Sequence, residues 1–364
     1  SPVFSLFSMI VGAIIMFWLS PAEYGLWQSV NLISVYGYVL LAGINPGLSR
    51  ELPYALGAKK NDLAISLASN IKLISILAAL LLFIGTLISS LFIDNFQLKS
   101  GIIVISLVTG IGFYRNYLLE TCRATGALMT LLKIQGFEII LMIFSLIVVY
   151  KFQFQGMIYR ALGIMIIVTI LLNYLAPMKK VSPRWNRDTF LILLKTGFPL
   201  YMSSYLLLIG TTTDRLILVQ FDTEKLGVYS PALMIFAAFQ LIPNALSQYL
   251  SPKMSFMLGE TKNIKDVWEI SWKSSIILFL ISLPLVGIAW FIIPFAINQF
   301  FPEYSDGIVA AQIACITGAV ASSATGWMGM QSIKAFKAMF IIGFFIMIIG
   351  YGFSWALSSL MDPL

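Results

Sequence analysis

Apolar stretches of about 20 residues follow one another along nearly the whole chain, and this feature constrains the fold more than any other. A helix of that length can cross the hydrocarbon core of a bilayer. Charged residues make up only 11% of the 364 positions, whereas soluble domains carry about 25%. The chain lacks the polar surface that a soluble protein of this length needs. We therefore expect an all-α polytopic membrane protein.

Polar breaks divide the chain into eleven predicted spans. The breaks contain turn-forming residues such as Ser20-Pro21, Asn45-Pro46-Gly47 and Asp306-Gly307, and a turn at 151–155 separates the fifth span from the sixth. We expect the chain to begin inside its first membrane helix, because an apolar stretch follows Ser1 at once. The predicted spans cover residues 2–19, 25–46, 65–92, 101–119, 134–151, 156–176, 190–219, 227–249, 270–297, 307–329 and 338–359.

Basic residues predict the orientation of these spans. Eighteen of the 23 Lys and Arg residues fall on one side. The other side has only Lys99, Lys151, Arg160, Arg215 and Lys225. Because short loops rich in Lys and Arg mark the cytoplasm, we expect the loop at 20–24 to face outward and the loop at 177–188 to face the cytoplasm.

The two halves of the chain match at a constant offset of 202 residues. The matched positions include two glycine pairs and a Lys-Asn pair: Gly25 with Gly227, Gly57 with Gly259, and Lys60-Asn61 with Lys262-Asn263. Because the offset spans an even number of helices, both halves enter the membrane in the same direction. We therefore expect two lobes, 1–180 and 181–364, related by an axis along the membrane normal. The second lobe contains one span fewer, which predicts a twelfth helix beyond Leu364.

Short motifs in both halves resemble the Wzx-type polysaccharide repeat-unit flippases of the multidrug/oligosaccharidyl-lipid/polysaccharide exporter (MOP) superfamily. The first half carries Leu19-Ser20-Pro21-Ala22-Glu23-Tyr24-Gly25-Leu26 and Gly47-Leu48-Ser49-Arg50-Glu51-Leu52. The second half carries the matching Thr213-Asp214-Arg215-Leu216-Ile217-Leu218 and Leu226-Gly227-Val228-Tyr229-Ser230. The resemblance implies twelve helices in two six-helix lobes around a central cavity.

The resemblance also implies a function. A flippase of this type moves an undecaprenyl-pyrophosphate-linked oligosaccharide from the cytoplasmic to the periplasmic leaflet of the bacterial inner membrane. The substrate would be an O-antigen or capsule unit of lipopolysaccharide or other polysaccharide biosynthesis. A polysaccharide polymerase and a chain-length regulator would be its partners.

Ionisable residues inside predicted spans are the candidate site residues. A charge at the centre of a membrane helix costs roughly 2.5–3.5 kcal/mol on insertion scales, so such residues usually face a cavity or a partner. Asp214-Arg215 in the seventh span is interpreted either as a cavity charge that meets an anionic substrate, or as a snorkelling or ion-paired arginine. Arg115 in the fourth span is interpreted as a cavity charge or as part of a salt-bridged helix end.

Three further basic residues and two amide stripes are weaker candidates. Arg50 ends the second span, where a guanidinium would suit a pyrophosphate or act as a positive-inside anchor. Lys72 and Lys273 are related by the repeat and predict either a symmetric basic ring or two snorkelling lysines. The stripes predict helix-to-helix hydrogen bonds or a sugar-facing lining, and they consist of Gln28, Asn31, Ser34 and Asn45, with Gln240, Asn244, Ser247 and Gln248 in the repeat.

Several classes of function are disfavoured. The chain has no His and only two Cys, Cys122 and Cys315, which excludes imidazole bases and His/Cys metal clusters. It has no Walker loop and, despite its net charge of +7, no nucleic-acid motif. We expect no cofactor, and transport would be driven by an ion gradient or the membrane potential, with Asp214 and Glu138 as the deepest acids.

Three alternatives remain open at this point. A drug/cation antiporter of the same superfamily would be expected to have an acidic binding chamber, whereas basic residues outnumber acidic ones within these spans. An integral-membrane polysaccharide polymerase or ligase would need an outer catalytic segment, and every predicted outer loop is short. A structural scaffold would need neither the repeat nor the buried charges.

Overall fold

The structure, a computed structural model, describes residues 2–261 and 263–361, and this part of the chain contains helices and turns but no β-strand. In lipid, backbone N–H and C=O groups must be satisfied within each segment, which favours helices. The helices are α1 Pro2–Trp18, α2 Pro21–Gly37, α3 Ile44–Gly57, α4 Asn61–Ser90, α5 Phe96–Ala124, α6 Leu128–Phe144, α7 Leu146–Leu175, α8 Arg187–Phe221, α9 Thr223–Val228, α10 Ser230–Thr261, α11 Ile264–Phe300, α12 Ile308–Ser322, α13 Gly326–Ser332 and α14 Phe336–Met361.

Among the described residues, eight segments are long and apolar enough to cross a membrane, and the bent pair α2–α3 makes nine if it counts as one span. Helix α1 is apolar but shorter. All eleven predicted spans coincide with helical segments, so the prediction of an all-α multi-pass membrane protein is confirmed. The count of eleven spans stays a prediction. Lys262 and residues 362–364 lie outside the described residues.

The second predicted span is broken rather than straight. A 3₁₀ segment, Tyr38–Leu41, follows α2, and α3 leaves it at an angle of 54° to α2. Ala42 and Gly43 between them have positive φ values of 46° and 83°. A Cβ on Gly43 would lie 2.8 Å from the carbonyl oxygen of Gly197, so glycine is required there by both its conformation and the approach of α8.

The predicted turn at 151–155 lies inside the segment assigned to α7. Gln153 leaves the helical conformation, with φ 48° and ψ −123°. The chain then folds back so closely that a Cβ on Gly156 would lie 2.5 Å from the carbonyl oxygen of Val148. Residues 128–152 and 154–175 therefore form two helical arms, as the sequence predicts.

The chain forms two compact units. The first unit is Leu26–Tyr205, and the second unit is the described part of Ser1–Gly25 with Leu206–Leu364. In the first unit α4, α5 and α7 pack together with α3 and α6 around a core that includes Leu52, Leu67, Tyr117 and Leu172. In the second unit α10, α11 and α12 pack together, and α1 packs on α10.

These units divide the chain differently from the predicted lobes 1–180 and 181–364. The reason is that α1 and each part of α8 belong to the unit whose helices they pack against. Residues 187–205 of α8 pack with α3 in the first unit. Its later residues lie in the second unit, where a Cβ on Gly210 would lie 2.8 Å from Ile346 of α14. The lobe boundaries themselves stay a prediction.

Gly25 of α2 and Gly227 of α9 pack against each other within the second unit. A Cβ on Gly25 would overlap the carbonyl oxygen of Thr223, and a Cβ on Gly227 would overlap that of Pro21. Thr223 is itself the position 202 residues after Pro21, so the contact is reciprocal between repeat-related residues. Reciprocal contacts of this kind arise around a two-fold axis. They support the parallel repeat, while superposition of complete lobes stays a prediction.

Candidate functional site

A buried ion pair joins α5 to α6 in the first unit. Nη2 of Arg115 lies 2.5 Å from Oε2 of Glu138. The two side chains are 19% and 5% exposed. Nε of Arg115 is buried and has no hydrogen-bond partner among the described residues. The pair thus leaves the Nε–H group of the guanidinium without an acceptor.

Tyr38 and Asn116 extend this polar cluster. The bend between α2 and α3 places Tyr38 against α5, where its ring packs 5.1 Å from that of Phe113 and its hydroxyl lies close to Asn116 and Arg115. Sequence reasoning missed Tyr38, because an aromatic residue near a break resembles a membrane-interface anchor. It identified Glu138 as a deep acid but did not pair it with Arg115.

Two further charged residues of α5, Glu120 and Arg123, form a separate pair. Arg123 contacts Glu120 one turn away on the same helix, with Nη1 2.5 Å from Oε1. The Arg123 side chain is 58% exposed. This pair therefore corresponds to the predicted salt-bridged helix end, whereas Arg115 makes a buried contact with a different helix.

A second cluster lies in the second unit, on α8 and at the end of α9. The Asp214 carboxylate accepts a hydrogen bond of 2.9 Å from the backbone N–H of Arg215, and the hydroxyl of Tyr229 lies close to the same carboxylate. Arg215 is half-buried, and its Nε has no hydrogen-bond partner among the described residues. Each unit therefore contains an arginine whose buried Nε–H group lacks a hydrogen-bond acceptor among the described residues.

The other three candidates make ordinary structural or surface contacts. Arg50 is exposed in the middle of α3, which continues to Gly57, and the neighbouring Glu51 accepts a 2.8 Å hydrogen bond from Thr196. Lys72 donates to two backbone carbonyls. Lys273 is exposed and pairs with Glu269 one turn away. The two repeat-related lysines thus have different contacts, and these contacts do not support the predicted symmetric ring.

The amide stripes contain one of the helix-to-helix hydrogen bonds that the sequence left open, and the sugar-facing lining stays a prediction. Ser34 of α2 and Thr109 of α5 are joined by a 2.7 Å hydrogen bond between helices. By contrast, Oδ1 of Asn45 and Nε2 of Gln240 are buried without a hydrogen-bond partner among the described residues. The described residues contain no group of three or more Cys, Asp or Glu arranged to hold a metal ion.

No protein-family model and no curated protein sequence match this chain. Solved structures of similar fold were found. An inward-facing multidrug-resistance MATE-family transporter of the MOP superfamily is 15% identical, with a TM-score of 0.66 over 98% of this chain and 95% of that one. An outward-facing MATE transporter is 18% identical, with a TM-score of 0.60 over 97% and 86%.

A third similar structure is a MOP-superfamily transporter from Pyrococcus furiosus, described as having a binding pocket of reverse polarity that suggests a different function. It is 16% identical, with a TM-score of 0.58 over 99% of this chain and 95% of that one. The chain therefore shares its fold with these solved MATE and MOP-superfamily transporters. These likenesses do not separate the Wzx-type flippases from other transporters of that fold.

Proposed function

We propose that this protein is an alternating-access transporter that flips an undecaprenyl-pyrophosphate-linked oligosaccharide across the bacterial inner membrane. The fold supports a transporter, because similar structures are described in inward-facing and outward-facing states. The sequence motifs around Arg50 and Asp214 support the choice of substrate.

The observation that carries the proposal is the pair of arginines with free, buried N–H groups. Arg115 and Arg215 each keep a buried Nε without a protein partner among the described residues. A buried donor without an acceptor costs about 1–3 kcal/mol, and more when it is charged. A pyrophosphate or acidic sugar would supply the acceptor, and guanidinium groups match its oxygens better than lysine does.

A drug/cation antiporter is the second candidate, and the buried carboxylate of Glu138 favours it, since a cation needs an acidic partner. However, Arg115 already occupies one oxygen of that carboxylate at 2.5 Å. The Asp214 carboxylate accepts a hydrogen bond from the backbone N–H of Arg215. The buried acid of the first unit is thus already paired with a cation, which favours an anionic substrate over a cationic one.

The proposal is tested by complementation of surface-polysaccharide export at matched membrane abundance. Loss of one charge-assisted hydrogen bond, about 1.5–3 kcal/mol, corresponds to roughly a tenfold or larger effect. We expect Arg215→Ala and Arg215→Glu to lower export by that factor and Arg215→Lys to retain part of it. The exposed Lys334→Ala is the matched control and should export normally.

Two results would count against this function. Normal export by both Arg215→Ala and Arg215→Glu would make Arg215 a structural charge. Drug resistance conferred by the parent protein, lost in Glu138→Gln but unchanged in Arg215→Ala, would favour the antiporter instead.

A further inference from the structure

The segment between α7 and α8, residues 176–186, is short, irregular and strongly basic at its surface. Lys179, Lys180, Arg184 and Arg187 lie in it or at its end, against a single acid, Asp188. Irregular connections of this kind are often loose, but the backbone of this one is hydrogen-bonded to helices of the first unit. We call these four basic residues, together with Trp185, the basic rim.

Side chains of α4 and α5 donate hydrogen bonds to the first carbonyls of this segment. The hydroxyl of Tyr117 donates to the carbonyl of Met178 at 2.9 Å. Nζ of Lys72 donates to the carbonyls of Lys179 and Val181, both at 2.9 Å. The Lys72 cation is therefore stabilised by carbonyl dipoles rather than by a carboxylate.

The later carbonyls of the segment are held in the same way. Ser69 donates to the carbonyl of Ser182 at 2.6 Å. Nδ2 of Asn70 donates to the carbonyl of Asn186 at 2.5 Å and to the hydroxyl of Thr189 at 2.7 Å. Because carbonyls from Met178 to Asn186 accept hydrogen bonds from side chains of α4 and α5, the segment is anchored along its length.

The opposite face of the segment is exposed. Lys180, Arg184 and Arg187 are exposed, and the Trp185 side chain is 55% exposed. Trp185 is oriented by its ring contact with Phe190, at 4.8 Å between centroids. Ordering of the backbone thus presents three cationic groups and one indole together on the surface.

The position of the rim places it at the surface of a bilayer. Both α7 and α8 are long and apolar enough to span a membrane, and the segment between them begins at the end of one and finishes at the start of the other. Tyr174, in the last turn of α7, is 72% exposed. Exposed Tyr and Trp next to basic residues are typical of the headgroup region.

We propose that the basic rim binds the headgroups of anionic phospholipids. Each basic residue near an anionic membrane surface strengthens the association of its segment with that surface roughly fivefold. The guanidinium groups of Arg184 and Arg187 can each bind a phosphate group through two hydrogen bonds. The rim would thereby concentrate anionic lipid beside the first unit. This inference does not depend on which substrate the protein transports.

The test uses the full chain with Ser182→Cys carrying a fluorophore, reconstituted in phosphatidylcholine nanodiscs. Cys122 and Cys315 are buried, so labelling is directed to the new thiol. A minor fraction of spin-labelled phosphatidylglycerol or spin-labelled phosphatidylcholine then serves as quencher. We expect stronger quenching by the anionic lipid, with a preference on the order of tenfold at low salt.

Two double variants decide the outcome. Lys180→Gln with Arg184→Gln should lower the preference several-fold, because both side chains are exposed parts of the rim. Lys334→Gln with Lys337→Gln removes the same charge from exposed positions of the second unit and should leave it unchanged. Equal quenching by the two lipids in the parent, or a preference that survives in the rim variant, would overturn the proposal.

Discussion

Removal of one partner of the Arg115–Glu138 pair is expected to destabilise the protein strongly. The two side chains are 19% and 5% exposed and approach to 2.5 Å. Two unit charges ~4 Å apart interact by about 4 kcal/mol at an effective dielectric constant of ~20, and truncation of one member of a buried pair costs about 3–5 kcal/mol. We therefore expect Glu138→Leu and Arg115→Met each to lower the free energy of unfolding by about that amount.

The double variant should lose much less than the sum of the single losses. Arg115→Met with Glu138→Leu leaves no uncompensated buried charge, and apolar replacement of a buried pair is often neutral. Unfolding of the purified proteins in mixed micelles measures the coupling energy. The same cycle at the more exposed pair of Glu120 and Arg123 is the control, and its coupling should stay below about 1 kcal/mol.

Transport by the double variant then separates the two interpretations of Arg115. Export that recovers together with stability would assign the pair a structural role. A stable double variant that fails to export would support contact between Arg115 and the substrate. Additive single losses, with a coupling energy below about 1 kcal/mol, would refute the reasoning that the buried pair matters at all.

Two further predictions concern packing. Lys72→Met should lower the free energy of unfolding by roughly 2 kcal/mol and increase the mobility of a spin label at Ser182→Cys, because it removes two charge-assisted hydrogen bonds. Lys273→Met should change neither the stability nor the mobility of that label by a measurable amount, since the partner of Lys273 is an exposed residue one turn away. Gly227→Ala should lower the free energy of unfolding by several kcal/mol, because its Cβ would overlap the backbone. Gly163 has open space around it, so Gly163→Ala should raise the free energy of unfolding by about 0.5–1 kcal/mol. Thermal unfolding that ranks these two variants in the opposite order would contradict the packing of α2 against α9.

Much of the fold could be predicted because it depends on local properties of the chain. Runs of apolar residues predict the helical spans, and the turn at 151–155 was located from its polar residues alone. The paired glycines at positions 25 and 227 were identified by the repeat, although only the structure revealed that they touch. The break at Ala42 and Gly43 was placed a few residues late, because Asn45-Pro46-Gly47 is a stronger turn signal than the residues that take the left-handed conformation.

The candidate site was predicted less completely. Arg115 and Arg215 were identified as candidate site residues because a charge inside a membrane span is costly. Such a charge is visible directly in the sequence. The pairing of Arg115 with Glu138 was not predicted, because the two residues lie on different helices. Lys72 and Lys273 occupy nearly equivalent positions in the repeat, yet Lys72 donates to two backbone carbonyls whereas Lys273 pairs with the side chain of Glu269.

The amino-acid sequence by itself determined that the chain crosses the membrane as helices, since hydrophobicity and backbone hydrogen bonding act within each segment. The rotation of each helix about its axis and its vertical register against its neighbours were decided only by tertiary packing. Helix rotation and register determine which carboxylate pairs with Arg115 and which carbonyls accept hydrogen bonds from Lys72. They arise from contacts summed over several helices, so the pattern of residues along one helix does not contain them.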